Sequence, residues 1–141
     1  MRTLKFRVCV QTQDDIKTVI YSNDLDSERH LINMNGQLLE NYGKSWKEPF
    51  WETVFDSICS IQQFTGLKDS KDIDIYEGDL LQFTYKDDGN VFTGEVQYSE
   101  KFACFIVVVD KAFETFSDLA DYSSSFKIVG NIFKNGTQSN E

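Results

Sequence analysis

Apolar and polar side chains alternate along the beginning of the chain. Every second residue from Leu4 to Val10 is apolar, and most residues between them are polar. This period of two predicts a half-buried β-strand over residues 3–10, because successive side chains of a strand point to opposite faces. The β-branched run at 18–21 predicts a shorter partner strand.

The next part of the chain combines a hairpin signal with a segment of mixed character. Residues 31–39 predict a hairpin around the Asn-Gly pair at 35–36, since both residues accept the positive φ of a type I′ turn. Apolar residues spaced one, four, five and eight positions from Phe50 fit one or two helical turns, and Pro49 suits the first turn of such a helix. Residues 58–64 fit a strand equally well.

The second half of the chain predicts short strands separated by tight turns. The hydrophobic run at 102–109 is continuous rather than alternating, which predicts a central strand covered on both faces. Ser117 predicts the N-cap of a short helical turn over 118–121, and Gly94 predicts a bulge or bend. Short strands at this spacing are typical of a small barrel. The predicted strands are 79–85, 91–98, 102–109 and 126–133.

Composition and charge narrow the functional classes. The chain has 141 residues, of which 40% are hydrophobic, so it can bury the core of one domain or of two small subdomains. The longest apolar run has eight residues, whereas a membrane span needs about 20. The charged N-terminus lacks the apolar stretch of a signal peptide, so we expect a cytoplasmic protein. The net charge of −9 weighs against binding nucleic acid phosphates.

Residue types that often carry catalysis or bind metals are sparse. Cys9, Cys59 and Cys104 are 50 and 45 residues apart and form no CxxC pair, which disfavours disulfides and zinc. His30 is the only histidine, and the chain has no GxSxG motif. Five carboxylates lie within residues 69–79, but their spacing is not that of an EF-hand. We expect no catalytic residue, no metal and no cofactor.

Two sequence blocks in the second half carry a family resemblance. The first, QFTGLKD, spans residues 63–69 and is followed by IYEGDL at 75–80, and the second, IVGNIFKN, spans 128–135. Together with the opening strand, these blocks resemble the YopX family of bacteriophage and prophage proteins. The resemblance extends over most of the chain. The hallmark residues are Thr65, Gly66, Leu67, Tyr76, Glu77, Gly78, Asp79, Gly130 and Asn131.

The resemblance implies a fold and a phage or prophage origin, but no established activity. It implies an SH3-like barrel in the C-terminal part, so the expected fold class is mainly β with minor α. We interpret the hallmark residues as structural, with Gly66 and Gly78 in turns and Gly130-Asn131 in a bulge or sharp bend. The expected organisation is an N-terminal β-rich extension (1–62), the barrel (63–134) and a disordered polar tail (135–141).

Large aromatic residues cluster in the least regular part of the sequence, residues 42–58. A small barrel cannot enclose 2 Trp, 6 Tyr and 12 Phe, and aromatic side chains are enriched at the centres of interfaces. We therefore expect a homo-oligomer in which this segment contributes to the contact. The alternative is that the segment folds back over the barrel within one chain. The candidate interaction residues are Trp46, Phe50, Trp51 and Phe55.

These expectations favour a non-enzymatic accessory protein that acts by binding a protein. The partner is expected to be a second copy of the chain, or a host or phage protein. The alternative is an acidic mimic that blocks the nucleic-acid-binding face of a host protein. Residues 71–141 carry 6 basic and 13 acidic side chains, a net charge of −7, whereas residues 1–70 carry 8 and 10, a net charge of −2. We expect no direct contact with nucleic acid or membrane.

Overall fold

The computed structural model describes residues 3–11, 17–21, 30–54 and 59–132. These residues are mainly β-strand, with a single helix among them, which confirms the predicted fold class. In this part of the chain, no helix is long and apolar enough to cross a membrane. Closure into an SH3-like barrel stays a prediction.

The chain divides into two compact units. The first unit runs from Lys5 to Gln62, and the second runs from Gln63 onward and includes Thr3 and Leu4. The three-stranded sheet lies within the first unit and the five-stranded sheet lies within the second.

The first unit begins with the strand that the alternating pattern predicts. β1 (Phe6–Gln11) pairs antiparallel with β2 (Lys17–Tyr21), which confirms both strands, although the first starts later than predicted. The side chain of Val8 is fully buried, as expected for the inward face of a half-buried strand.

A three-stranded antiparallel sheet follows, formed by β3 (His30–Ile32), β4 (Leu38–Asn41) and β5 (Trp51–Thr53). The predicted hairpin between β3 and β4 is confirmed, but its type I′ turn is wrong. Only Gly36 of the Asn-Gly pair has a positive φ, +78°. The side chain of Asn33 organises a longer connection instead, because its Oδ1 accepts hydrogen bonds from the backbone N–H groups of Asn35 and Gln37.

The helical prediction for residues 50–58 is wrong where the structure describes them. Residues 51–53 form β5, and the N–H of Val54 donates to the Leu38 carbonyl at 2.8 Å. The apolar spacing fits a helix, but pairing with β4 satisfies the backbone of this segment instead. The remaining residues of that prediction, 55–58, lie outside the described residues.

The long strand β6 (Cys59–Lys68) starts in the first unit, next to β1, and ends in the second, where it pairs with β7 (Asp74–Tyr76). The strand alternative for residues 58–64 is therefore confirmed from Cys59 onward. Gly66 lies inside β6 with a φ of +90°, in the stretch where the pairing with β7 shifts register. The turn predicted at Gly66 is therefore wrong, because the strand kinks there and continues.

The second unit is dominated by a five-stranded antiparallel sheet with the order β11-β10-β9-β8-β12. The predicted strands are confirmed, and most of their ends lie within about two residues of the predicted ends. The central position predicted for the run at 102–109 is confirmed for β10, which pairs with β9 on one side and with β11 on the other. The strands are β8 (Asp79–Thr84), β9 (Val91–Ser99), β10 (Cys104–Val109), β11 (Ala112–Thr115) and β12 (Lys127–Asn131).

One face of this sheet packs against the helix α1 (Phe116–Tyr122) and β7 to form the core of the second unit. The helical turn predicted after Ser117 is confirmed, but its cap is wrong. Thr115 is the N-cap, and its Oγ1 accepts the Asp118 N–H at 3.1 Å. The fully buried core side chains are Ile75, Leu81, Phe83, Val96, Val107 and Leu119.

Gly94 permits close packing within this core. It pairs with Leu81 in regular register, so the predicted bulge is wrong. A Cβ atom at this position would lie 2.6 Å from Val107 Cγ1 and 2.8 Å from both the Val108 carbonyl oxygen and Val109 Cγ2. Only glycine leaves room for this approach.

Candidate interaction surface

Residues 42–50, which we call the aromatic loop, connect β4 to β5 and expose three large aromatic side chains. Tyr42, Trp46 and Phe50 are 60%, 58% and 59% exposed, respectively. Trp51 follows at the start of β5 and is half-buried. The structure thus brings Trp46, Phe50 and Trp51 of the predicted candidates into one short segment, while Phe55 lies outside the described residues.

The buried side chain of Asn41 fixes the path of the aromatic loop. Its Oδ1 accepts hydrogen bonds from the N–H groups of Gly43 at 2.8 Å and Phe50 at 2.9 Å. Its Nδ2 donates to the Ser45 carbonyl at 3.3 Å. The N–H of Tyr42 also donates to the Phe50 carbonyl at 2.8 Å. One amide therefore holds the beginning, middle and end of the loop.

The interior of the aromatic loop is filled by its own backbone. A Cβ atom at Gly43 would overlap the Glu48 carbonyl and the Phe50 amide nitrogen, so the chain can fold this tightly only with glycine there. The N–H of Glu48 donates to the Ser45 carbonyl at 3.2 Å and closes the tip. The aromatic side chains consequently project from a backbone whose shape is already set, which lowers the entropic cost of binding a partner.

Charged groups surround the exposed rings. Lys47 Nζ lies 5.4 Å from the centre of the Trp46 ring, within the range of a cation–π contact. Tyr42 donates a hydrogen bond from its hydroxyl to Glu40 Oε2 at 3.0 Å. Glu40 is paired in register with Glu52 on the neighbouring strand. The loop thus combines apolar rings with both signs of charge, as interface rims commonly do.

The second unit also exposes an aromatic pair, which the sequence analysis did not single out and which is not part of the aromatic loop. Phe102 and Phe113 are 48% and 44% exposed, and their ring centres are 5.2 Å apart. Phe102 lies two residues before β10 and Phe113 lies in β11, and Lys101 Nζ lies 5.4 Å from the Phe102 ring centre. The sequence analysis did not predict the short strand that begins at Ala112, and this strand brings Phe113 beside Phe102.

The second unit also contains an apolar cavity of about 340 Å³ with an open mouth, lined by Leu67, Phe105 and Phe116 among others. Cys104, one of the three cysteines, lies at its wall. Among the described residues, no group of three His, Cys, Asp or Glu side chains could hold a metal ion. His30 lies in β3, opposite Glu40.

The hallmark residues Thr65, Gly66 and Leu67 hold the kink of β6. Thr65 Oγ1 donates to the Ile75 carbonyl at 2.9 Å and accepts the Leu67 N–H at 3.2 Å. The threonine hydroxyl thereby joins β6 to β7 across the register shift that Gly66 introduces. These contacts support the structural interpretation of this block.

The hallmark residues Tyr76, Glu77, Gly78 and Asp79 form the turn from β7 to β8. Asp79 is buried, and its Oδ2 accepts the Tyr76 N–H at 2.8 Å. Glu77 and Gln63 exchange two hydrogen bonds, from the Gln63 N–H to Glu77 Oε1 at 2.7 Å and from the Glu77 N–H to the Gln63 carbonyl at 3.0 Å. Gly78 has a φ of +85°, which confirms the predicted turn.

Asp69 joins the first hallmark block to the last strand. Its Oδ1 accepts the N–H groups of Lys71 and Ile73, both at 2.9 Å, and its Oδ2 accepts the Ile128 N–H at 3.1 Å. Burial of the carboxyl opposes ionisation, but the three N–H groups outweigh burial and hold the pKa of Asp69 below its ordinary value of 3.8. An ionised carboxylate therefore closes the turn and binds the backbone of β12 at Ile128.

Gly130 and Asn131 lie in β12, where the pairing with β8 shifts register between Ile128 and Gly130. This confirms the predicted bulge. Gly78 is linked to the end of the same strand, because its carbonyl accepts the Ile132 N–H at 2.9 Å. The hallmark residues therefore lie at the register shifts of β6 and β12 and in the turn from β7 to β8, and none of them belongs to the exposed aromatic loop.

These observations describe a two-unit, mainly β protein with a buried network of turn residues and a separate exposed aromatic loop. A family model described as "YopX protein" matches residues 5–137, so the chain belongs to the YopX family. No curated protein matches the chain significantly.

Two solved structures are similar over nearly their whole length. The crystal structure of protein yopX from Bacillus subtilis has a TM-score of 0.60 at 20% identity, covering 96% of this chain and 97% of that one. Protein EF1440 from Enterococcus faecalis has a TM-score of 0.55 at 21% identity, covering 98% and 99%. At these identities, the likeness concerns the fold alone.

Proposed function

We propose that the protein has no catalytic activity and acts by binding another protein through the aromatic loop. The observation that carries this proposal is the combination of three exposed aromatic rings with a backbone fixed by the buried Asn41. Hydrogen bonds and the close packing at Gly43 order this loop, yet its large rings stay exposed to water instead of packing into the core. Rigid exposed aromatic side chains are characteristic of binding surfaces.

The exposed area of the rings is enough for the centre of an interface. A large aromatic side chain buries roughly 150–250 Å², so three rings at the observed exposure offer on the order of 350 Å². At about 25 cal/mol per Å², covering them contributes about 9 kcal/mol before the cost of association. A standard interface uses about 800 Å² per partner, so neighbouring residues must complete the contact.

The resemblance to phage and prophage proteins supports an accessory role in the cytoplasm of a bacterial host. The partner is then a second copy of the chain, as in the proposed homo-oligomer, or a host or phage protein. The acidic-mimic alternative rests only on the net charge of −7 in residues 71–141. At two exposed turns of the second unit, a lysine stands beside the acidic residues, as in Lys86-Asp87-Asp88 and Glu100-Lys101.

Affinity capture with matched variants tests the proposal. The tagged full-length chain, Phe50→Ser and the control Phe113→Ser are each incubated with bacterial lysate and with an untagged copy of the chain. We expect wild type and the control to retain a stoichiometric protein that Phe50→Ser loses, since only this variant alters the aromatic loop. Equal recovery by all three proteins, or recovery by none, would refute the proposal.

A further inference from the structure

The apolar cavity of the second unit is formed by parts of the chain that are distant in sequence. Leu67 comes from the end of β6, Phe105 from the start of β10, and Phe116 from the first turn of α1. Leu67 and Ser117 line the cavity and are exposed, so they lie where it opens to water. Its volume of about 340 Å³ is within the range of small-molecule sites, about 300–1,000 Å³.

Contacts outside the cavity hold its walls in place. The rings of Phe105 and Tyr98 pack edge to face with their centres 5.2 Å apart. Phe116 packs against Phe126 in the same way at 5.6 Å. The Thr65 hydroxyl holds the kink of β6 through its two hydrogen bonds. The site is therefore formed before a ligand enters, which lowers the entropic cost of binding.

The lining of the cavity favours an uncharged ligand. Among the described residues that line it, none is charged, so a charged ligand would lose its hydration there without gaining an ionic partner. The Thr65 hydroxyl already donates and accepts a hydrogen bond, and the Thr115 hydroxyl accepts the Asp118 N–H. Water in the cavity consequently finds few hydrogen-bond partners, and an apolar ligand can displace it readily.

The volume and the two phenylalanines of the wall define the size and shape of the ligand. An apolar cavity of about 150 Å³ holds benzene, so about 340 Å³ holds two fused rings. Phe105 and Phe116 offer an aromatic ligand edge-to-face or offset contacts. We propose that this cavity binds a small, uncharged molecule with one or two aromatic rings, which is an activity beyond the protein binding proposed for the aromatic loop.

A titration with a simple probe tests the chemistry. Binding of 5-fluoroindole to the full-length chain is followed by fluorine NMR, with 5-fluoroindole-3-acetate as the comparison molecule that has the same rings and a carboxylate. Cys104 lies at the cavity wall and reports the location of the probe. Its alkylation by iodoacetamide is measured by mass spectrometry of the peptide that contains it.

Three variants locate the binding site. Leu67→Ala removes part of the cavity wall, and Cys104→Phe places a ring in the cavity. Ile73→Ala is the matched control, because Ile73 is also exposed in the second unit, does not line the cavity and loses the same number of carbon atoms. Circular dichroism verifies that each variant folds, and Leu67→Ala suffices if Cys104→Phe does not.

We expect 5-fluoroindole to bind with a Kd below about 1 mM, and the carboxylate analogue to bind at least about 10-fold more weakly. Leu67→Ala weakens binding by about 3–10-fold through lost apolar contact, Cys104→Phe abolishes it, and Ile73→Ala leaves it unchanged within about 1.5-fold. With the probe at about five times its Kd, alkylation of Cys104 slows by about 3–6-fold, since a thiol that reacts only in the free protein is protected by the factor 1 + [L]/Kd.

Four results would overturn the inference: no saturable binding of 5-fluoroindole up to about 5 mM, equal affinity for Leu67→Ala and Ile73→Ala, equal binding of the carboxylate analogue, or unchanged alkylation of Cys104 at saturation. If Cys104→Phe abolished protein capture but left probe binding intact, the cavity would accept a side chain of a protein partner and the inference would be wrong. Capture with Phe50→Ser decides the proposed function separately, because Phe50 belongs to the other unit.

Discussion

Replacing Asp69 by asparagine should destabilise the second unit far more than an ordinary surface substitution. The carboxylate accepts three backbone N–H groups, two on Oδ1 and one on Oδ2. Asparagine keeps an acceptor for Lys71 and Ile73, but it turns an NH₂ group towards the Ile128 N–H. Leaving this N–H unsatisfied costs about 1–3 kcal/mol, and weakening the two remaining charge-assisted bonds brings the total to about 2–4 kcal/mol.

Thermal and urea unfolding of the full-length chain measure this cost. The expected decrease in Tm is roughly 5–15 °C. Asp72→Asn is the matched control, because Asp72 is exposed in the same turn and its φ of +66° is one that asparagine also accepts. If Asp69→Asn were no more destabilising than Asp72→Asn, the hydrogen bonds of Asp69 would not hold the turn.

The same substitution has a defined pH dependence. Because the folded pKa of Asp69 is lower than its ordinary value of 3.8, the ionised carboxylate contributes its full stabilisation above that value. The contribution is lost as pH falls through the lowered pKa. The stability difference between wild type and Asp69→Asn should therefore be constant near neutral pH and shrink below about pH 4. A difference that grows on acidification would contradict the assigned pKa direction.

Two further substitutions test the core and the helix. Gly94→Ala should lower the free energy of unfolding in urea by about 1–3 kcal/mol, because the new Cβ atom would overlap Val107 and its neighbours. The control Gly89→Asn, at a positive φ in open space, should change it by less than about 0.5 kcal/mol. Thr115→Ala should cost about 1 kcal/mol by removing the N-cap of α1. Ser117→Ala should lower stability by less than about 0.5 kcal/mol. If Ser117→Ala were more destabilising than Thr115→Ala, Ser117 would be the N-cap after all.

Local patterns in the sequence were sufficient to predict much of the fold. The alternation at 3–10, the turns of the second half and the register shift near Gly130 all depend on neighbouring residues, and all appear in the structure. The order of the strands within the sheet could not be derived in the same way. A continuous apolar run indicates cover on both faces, but the strand order depends on pairing with β11, a four-residue strand with little signal of its own.

The aromatic segment shows where local reasoning fails. The spacing from Phe50 fits a helix, yet the structure is a loop followed by a strand because the Asn41 side chain accepts the Phe50 N–H from nine residues away. A hydrogen bond at that separation leaves no periodic trace in the sequence. Composition was enough to suggest Trp46 and Phe50 as exposed candidates, whereas the contribution of Tyr42 became clear only from the fold of the loop.

Hydroxyl-radical footprinting of the protein, alone and in complex with the partner that it captures, tests the central claim most directly. The rate of oxidation of each aromatic side chain reports its exposure to water in solution. We predict that Tyr42, Trp46 and Phe50 are oxidised readily in the free protein and become protected in the complex, while Phe102 and Phe113 stay reactive in both. If the aromatic loop remained as reactive in the complex as in the free protein, its role as the binding surface would be contradicted.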